Sequence, residues 1–567
     1  MVEGTRTQPP PGPGAAPVTA RPPARPGLAR SSLLMAVGTV ASRATGLIRQ
    51  VLQAAALGTG LLASTYNTAN TVPTSLYTLL IGGALNAVLV PQLVRARATH
   101  PDGGAAYEQR LVTLVCSVLA LGTLLAVWAA PQIVGLYMRD TPATHEAFEL
   151  TVVFARFLLP QIFFYGLFAM LGQVLNAREK FGAMMWTPIL NNAVLIAMFG
   201  LYLGMMTVPD RVADITTSHV RLLGLGTTGG IALQALALIP FVRAAGFRFR
   251  PRFDWRGTGL GSSVHAAKWT LLFVLANQVA LTVVTNYANA ADQRLPHAGA
   301  GYSAYTYAQT IWMLPQSVIT VSLVTALLPR MSLAATEGRF TDLRTDLTRA
   351  LRLTGALIVP TAFFFLALGP QLAALLFAHG TADAESVRPL GQMLQAFGLG
   401  LIPFSAQYLL LRGFYAFEDT RTPFLTAAFI AAANIAAATA CHLLLPARWA
   451  VTGMAAGYAL SYAAGLLLTA RLLRRRLAAP LDPAGRLTRT YGSLFLASAV
   501  AAGLGWATAR QVGNAAGDGV PATVLALAAG ALVLALGYLG CGRLLRVPEL
   551  RIPLRRGRGR RKPGGGS

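Results

Sequence analysis

Between Ser31 and Arg546 the chain passes through fourteen mostly apolar segments, centred near residues 45, 80, 123, 162, 194, 232, 277, 320, 360, 402, 432, 460, 498 and 532. Each has about twenty residues, the length an α-helix needs to cross a bilayer. Backbone N–H and C=O groups in hydrocarbon must be bonded within the segment, so the expected fold is an all-α polytopic membrane protein of about fourteen transmembrane helices. Composition agrees: of 567 residues, 54% are hydrophobic and 12% charged, about half the charged share of an ordinary soluble chain. A secreted disulfide scaffold, a disordered regulator and a typical cytosolic enzyme are excluded. A net charge of +26, from 47 Lys+Arg against 21 Asp+Glu, leaves nucleic-acid binding open until the cations are located.

Their location closes that reading. With the N-terminus inside, 35 of the 47 cations fall in alternate stretches on one side and in the tails, seven fall on the other, and five lie within spans. Lys/Arg enrichment of cytoplasmic loops accounts for this split. Both termini are therefore expected in the cytoplasm, and no nucleic-acid partner is implied. The first 30 residues hold eight prolines and four arginines and lack a signal peptide's apolar core. This tail and the basic 547–567 end read as disordered. Cys116, Cys441 and Cys541 match no metal or disulfide spacing. Pro73, Pro160, Pro315, Pro403 and the Gly82-Gly83 pair mark spans expected to bend.

The chain also repeats itself. Leu175-Asn176-Ala177 with Trp186-Thr187-Pro188 returns as Phe414-Tyr415-Ala416 with Arg421-Thr422-Pro423, and Val88-Leu89-Val90-Pro91 returns as Ala326-Leu327-Leu328-Pro329. The shared offset of about 235–239 residues implies two pseudo-repeated six-helix lobes, 31–256 and 257–486, followed by a helix pair over 487–546. Parallel repeats of this kind hold substrate between the lobes and move by rocking.

Ionisable groups inside a membrane are functional candidates, and here the deep ones are cationic. The carboxylate nearest a span is Glu149, at an outer edge, and none lies deep in the first or seventh span. Arg43 and Arg49 share the first span. Six residues apart, they are separated by about 9 Å along a helix and about 120° around it, so they would line a broad cavity. Arginine makes bidentate bonds to phosphate oxygens, which points to an anionic, phosphate-bearing cargo. Snorkelling of these side chains to the interface is the competing reading, and it applies equally to Lys268, near the inner end of the seventh span. Among the intramembrane amides, those of spans one, two, seven and eight, including Asn70 and Gln309, are the cavity candidates. The rest are expected to bond neighbouring helices. No P-loop, paired-carboxylate or metal-ligand spacing appears, so neither an enzyme nor an ATP-driven pump is expected. No cofactor is expected either, and the coupling source is left as the membrane potential or an unidentified ion.

Ser42-Arg43 through Arg49, the Pro73 span, Gly83-Ala84-Leu85, Val90-Pro91, Leu175-Asn176-Ala177, Tyr307-Ala308 through Pro329, and Phe414-Tyr415-Ala416 through Pro423 together resemble the MurJ/MviN lipid II flippases of the multidrug/oligosaccharidyl-lipid/polysaccharide exporter superfamily. The resemblance runs from about Ser31 to Val547 and has an actinobacterial cast. It implies inner-to-outer translocation of lipid II, the undecaprenyl-pyrophosphate-linked peptidoglycan precursor, in a bacterial cytoplasmic membrane, beside membrane lipids and other cell-wall synthesis proteins. It also places the family's essential first-helix arginines on Arg43 and Arg49. The family often has Asp, Arg, Glu and Arg where this chain has Ser64, Tyr77, Gly82 and Thr310, so the cationic cluster is thinner and Lys268 is the candidate to compensate. A flippase for another polyprenyl-linked saccharide is the alternative. A cation-coupled drug exporter fits less well, for want of a carboxylate in span one or seven.

Overall fold

The computed structural model describes residues 26–78, 104–178, 182–206, 214–254, 260–482, 485–517 and 519–550, with residues 96, 102 and 180. Residues 1–25 and 551–567, and the stretch holding Gly82 through Pro91, lie outside the described residues.

The described chain is built of α-helices. They are α1 (Pro26–Leu57), α2 (Leu61–Tyr77), α3 (Ala105–Trp128), α4 (Ala130–Gly135), α5 (His145–Leu158), α6 (Gln161–Asn176), α7 (Gly182–Met205), α8 (Thr217–Leu236) and α9 (Leu238–Ala244). After them come α10 (Leu260–Arg294), α11 (Tyr302–Pro315), α12 (Val321–Thr336), α13 (Phe340–Phe377), α14 (Ala384–Gly398), α15 (Leu401–Ala416), α16 (Arg421–Leu444), α17 (Ala447–Arg476), α18 (Arg486–Ala516) and α19 (Val520–Leu544). Among the described residues, ten helical stretches are long and apolar enough to cross a membrane, and α14 with α15, bent by 48°, makes an eleventh. Exposed Leu121, Leu124, Leu125 and Trp128 on α3 form the kind of apolar surface a lipid environment covers.

The breaks have local causes. Pro160 ends the α5 turn and caps α6. Pro315 cannot donate an N–H and crowds the preceding turn, and the chain answers with a π-turn over Gln316–Thr320 before α12 resumes. The expected bend near Pro403 falls instead at Gly398–Gly400. Pro403 then sits in the first turn of α15, where its missing N–H has no helical partner to lose.

One hydrophobic core runs from Ala56 to Phe247, with Tyr66 edge-on to Phe154 and Phe199. Three others take their residues from Val284 to Val547, joined by Ala54 of α1, with Leu47 and Val51 of α1 packed against one of them. The largest of these three centres on Trp312 against Phe397, Phe404 and Tyr458. α18 and α19 form a tight hairpin: a Cβ on Gly505 would stand 2.7 Å from the Gly530 carbonyl oxygen, so small residues set that approach.

In the first half, Arg178 donates to both oxygens of Glu108, at 2.5 and 3.1 Å, and the Glu108 side chain is fully enclosed. Phe247 stacks beneath the guanidinium, 5.5 Å from ring centroid to Cζ. Removing one member of such a pair strands the other charge. Glu108→Ala is therefore expected to destabilise the protein by about 3–5 kcal/mol, and an apolar replacement of both residues by much less. Thermal unfolding in detergent reads both, and a lower melting temperature for the double replacement than for E108A would contradict this account.

Candidate functional site

The α1–α2 hairpin turns at Gly58–Gly60, and at this end of the bundle the two halves are hydrogen-bonded together. Gln53 Nε2 donates to Asn67 Oδ1 (2.6 Å), and Asn67 Nδ2 donates to Ser303 Oγ (2.8 Å). The Ser303 N–H donates to Ser64 Oγ (3.0 Å). Ser64 Oγ in turn donates to Asp292 Oδ2 (2.5 Å), which also accepts from the Tyr302 N–H (2.9 Å). Asn289 bonds Thr68 and the Tyr137 carbonyl, and Tyr302 meets Thr71. Thr59 and Thr381 extend the seam to Ser386 and Ala55. Gly301 is required here, because a Cβ at that position would lie within 2 Å of the Asp292 carboxylate.

Asp292 is 1% exposed, and its Oδ1 has no hydrogen-bond partner. Nothing in the sequence marks it, because it stands in the last turn of α10, where a carboxylate ordinarily faces water. Its enclosure comes from α2 and the Gly299–Tyr302 turn, which only tertiary structure brings there. Position 64, where the resemblance leads one to expect Asp, holds Ser. A carboxylate still stands at this point of the seam, supplied by α10 instead of α2.

Arg49 lies one turn below Gln53 on α1 and so just beneath the seam. Its guanidinium is half-buried, its Nε has no hydrogen-bond partner, and no carboxylate pairs with it among the described residues. Tyr307 Oη on α11 is buried without a hydrogen-bond partner, whereas the buried Tyr66 hydroxyl of α2 is engaged with Thr227 Oγ1 at 2.7 Å.

Asn70, eight to nine residues beyond the α2 start, stands at about the same depth as Arg49, roughly 13 Å from the hairpin turn. It accepts from Gln161 Nε2 at 3.5 Å. Gln309 is also near this depth but turns into the second half, in a 170 Å³ cavity with Asn277, Asn434, Tyr305, Tyr458 and Tyr462. Arg43 is exposed, about 9 Å further from the seam. Lys268 stands apart from all of these. It is 24 residues before Asp292 on α10, roughly 36 Å towards the far end, exposed and 5.2 Å from the Trp269 ring, which Arg421 also approaches at 5.6 Å. The structure thus brings Arg49 and Asn70 to one level beneath the seam, with Arg43 leading towards it. It does not join Lys268 to them.

Residues 53–516 match the family described as Lipid II flippase MurJ. The chain is 30% identical over 413 residues to a probable lipid II flippase MurJ of Rhizobium meliloti, covering 70% of this chain and 72% of that one. It is 26% identical over 401 residues to the lipid II flippase MurJ of Burkholderia cenocepacia, covering 70% and 75%. Its fold is similar to a solved MurJ in an inward closed conformation, with a TM-score of 0.72, 19% identity, and coverage of 91% of this chain and all of that one. A MATE-family multidrug transporter in an inward-facing conformation follows at a TM-score of 0.60, 16% identity, and 79% and 99% coverage. Family match, curated relatives and fold agree: the chain belongs to the MurJ lipid II flippase family.

Proposed function

We propose that this protein moves lipid II from the inner to the outer leaflet of the bacterial cytoplasmic membrane by alternating access, and that it performs no catalytic step. Arg49 carries the reading. It is a half-buried cation with no carboxylate partner among the described residues, set directly beneath a sealed end. A guanidinium in that position lacks a counter-charge, and a pyrophosphate provides one through bidentate N–H···O bonds.

In this reading both termini and the arginine-rich end face the cytoplasm, and the Ser64–Asp292 seam is the closed outer end. The cargo enters from the inside, passes Arg43, and its pyrophosphate settles on Arg49 with Asn70 at the same level. The polyprenyl tail stays in the bilayer. The two halves then part along the seam and close at the cytoplasmic end. Exporting an anion runs down the inside-negative potential at about 2.3 kcal/mol per charge per 100 mV, so no bound cofactor is needed. Lys268, at the cytoplasmic rim, acts as an attracting charge at the entrance, and Gln309 shapes the interior of the second half.

Two outcomes follow. In cells depleted of the native protein, Arg49→Ala is expected to reduce outer-leaflet lipid II at least tenfold, Arg43→Ala less so, and Lys268→Ala only modestly. Full complementation by both arginine variants would overturn the site. With Cys116, Cys441 and Cys541 replaced, a Thr59→Cys/Ser386→Cys pair spanning the seam is expected to crosslink under oxidant and stop transport, which reductant restores. Transport undiminished by a complete crosslink would overturn alternating access.

A further inference from the structure

Away from the seam, at the arginine-rich end, the start of α13, the start of α18 and the segment after α19 enclose a cavity of about 650 Å³. Arg344, Arg349, Arg352 and Arg486 line it, against two carboxylates, Asp482 and Glu549. Among the described residues no ion pair engages Arg349 or Arg486. Glu549 reaches in on a 3₁₀ turn over Pro548–Leu550 and meets Arg352 through one contact, Nη2 to Oε1 at 2.5 Å. The Glu549 side chain is 8% exposed and that of Arg352 24%. Even so, Arg352 Nε and Glu549 Oε2 are both buried without a hydrogen-bond partner. A bidentate fork is available to this pair and is left half made. Arg352 Nε is thus left free for an acceptor placed differently from the Glu549 carboxylate.

The floor of the cavity is apolar in one direction. Arg349, Leu353 and Leu357 follow at four-residue spacing on α13, which places them on one helix face. Leu353 is 39% and Leu357 53% exposed. A basic pocket thus opens onto an apolar stripe running along a membrane-crossing helix. Basic pockets between transmembrane helices on the cytoplasmic side suit anionic lipid headgroups, and the stripe supplies the acyl-chain track that a free anion would not need.

We infer that this cavity is a binding site for the headgroup of an anionic phospholipid. The phosphodiester is held by Arg349, Arg352 and Arg486, an acyl chain lies along Leu353 and Leu357, and Glu549 is the acid the phosphate displaces from Arg352. The site lies on α13 and α18, outside the Arg49 region, and it does not depend on the transport reading. Because Glu549 tethers the end of α19 to α13, an occupied pocket frees that segment.

Purified full-length protein tests this by thermal shift and native mass spectrometry with short-chain phosphatidylglycerol, phosphatidylcholine and inorganic phosphate as separate probes. Phosphatidylglycerol is expected to raise the melting temperature and to remain bound, whereas phosphatidylcholine and phosphate do neither. Arg349→Ala/Arg486→Ala is expected to weaken phosphatidylglycerol at least tenfold, consistent with the loss of two charge-assisted contacts. Glu549→Gln is expected to tighten it about threefold. Arg486→Gln, at the exposed first turn of α18, keeps the test valid if the double variant folds poorly. An equal shift with phosphate marks a free-anion site and overturns the lipid assignment. Equal binding by wild type and Arg486→Gln, or by phosphatidylcholine, overturns the site.

Discussion

A continuous hydrogen-bonded seam, Gln53 to Asn67 to Ser303 to Ser64 to Asp292, closes one end of the molecule, and the remaining geometry hangs from it. Burying these groups is tolerable only because nearly every one is met. Its members come from α1 and α2 on one side and from α10 and α11 on the other, so the seam binds two otherwise separate hydrophobic cores. Polar groups are a suitable adhesive for surfaces that must part. Hydrogen bonds lost on opening are replaced by bonds to water, whereas a packed apolar joint would lose its full burial. Among the described residues Asp292 has only Ser64 and Tyr302 as partners and no cation, which keeps the seam from being a permanent weld.

The second constraint is electrostatic. Many of the chain's arginines are already answered: Arg178 by Glu108, Arg110 by Asp254, Arg339 by Glu337 and Asp342, Arg330 by Asp346. Arg49 is not, although it is half-buried and sits where the halves meet. Long-range attraction of an anion falls steeply with distance in water and much less in a low-dielectric interior, so one unpaired guanidinium at this level outweighs the larger number of rim cations. The exposed Arg43 and Lys268 fit a graded approach towards it. The basic cavity lined by Arg349 and Arg486 lies on other helices and has a separate use.

Much of this was legible in the sequence, because hydrocarbon permits so few backbone solutions. The apolar segments coincide with helices or helix pairs wherever the chain is described, ten or eleven of them long and apolar enough to cross a membrane. Arg43 and Arg49 stood out because charge inside an apolar run is rare. Helix bends were less legible: Pro403 marked the right segment, but the break came at the glycines before it, since a first-turn proline needs no accommodation. Asp292 was invisible for a similar reason. A carboxylate two residues before a helix end gives no sign of burial, and its partner Ser64 lies 228 residues away. Lys268 looked like part of the cluster because the repeat matches spans one and seven, but a repeat fixes which helix corresponds to which and not the depth of one residue.

The central claim is that an anionic lipid-linked cargo is handed across the membrane by Arg49 beneath a seam that opens. The most direct measurement is lipid II translocation in proteoliposomes containing only this protein, under an imposed potential positive on the receiving side. Movement that requires the protein, quickens with the potential and falls to the protein-free rate in Arg49→Ala is what this account predicts. A rate equal in wild-type, Arg49→Ala and protein-free vesicles would contradict it.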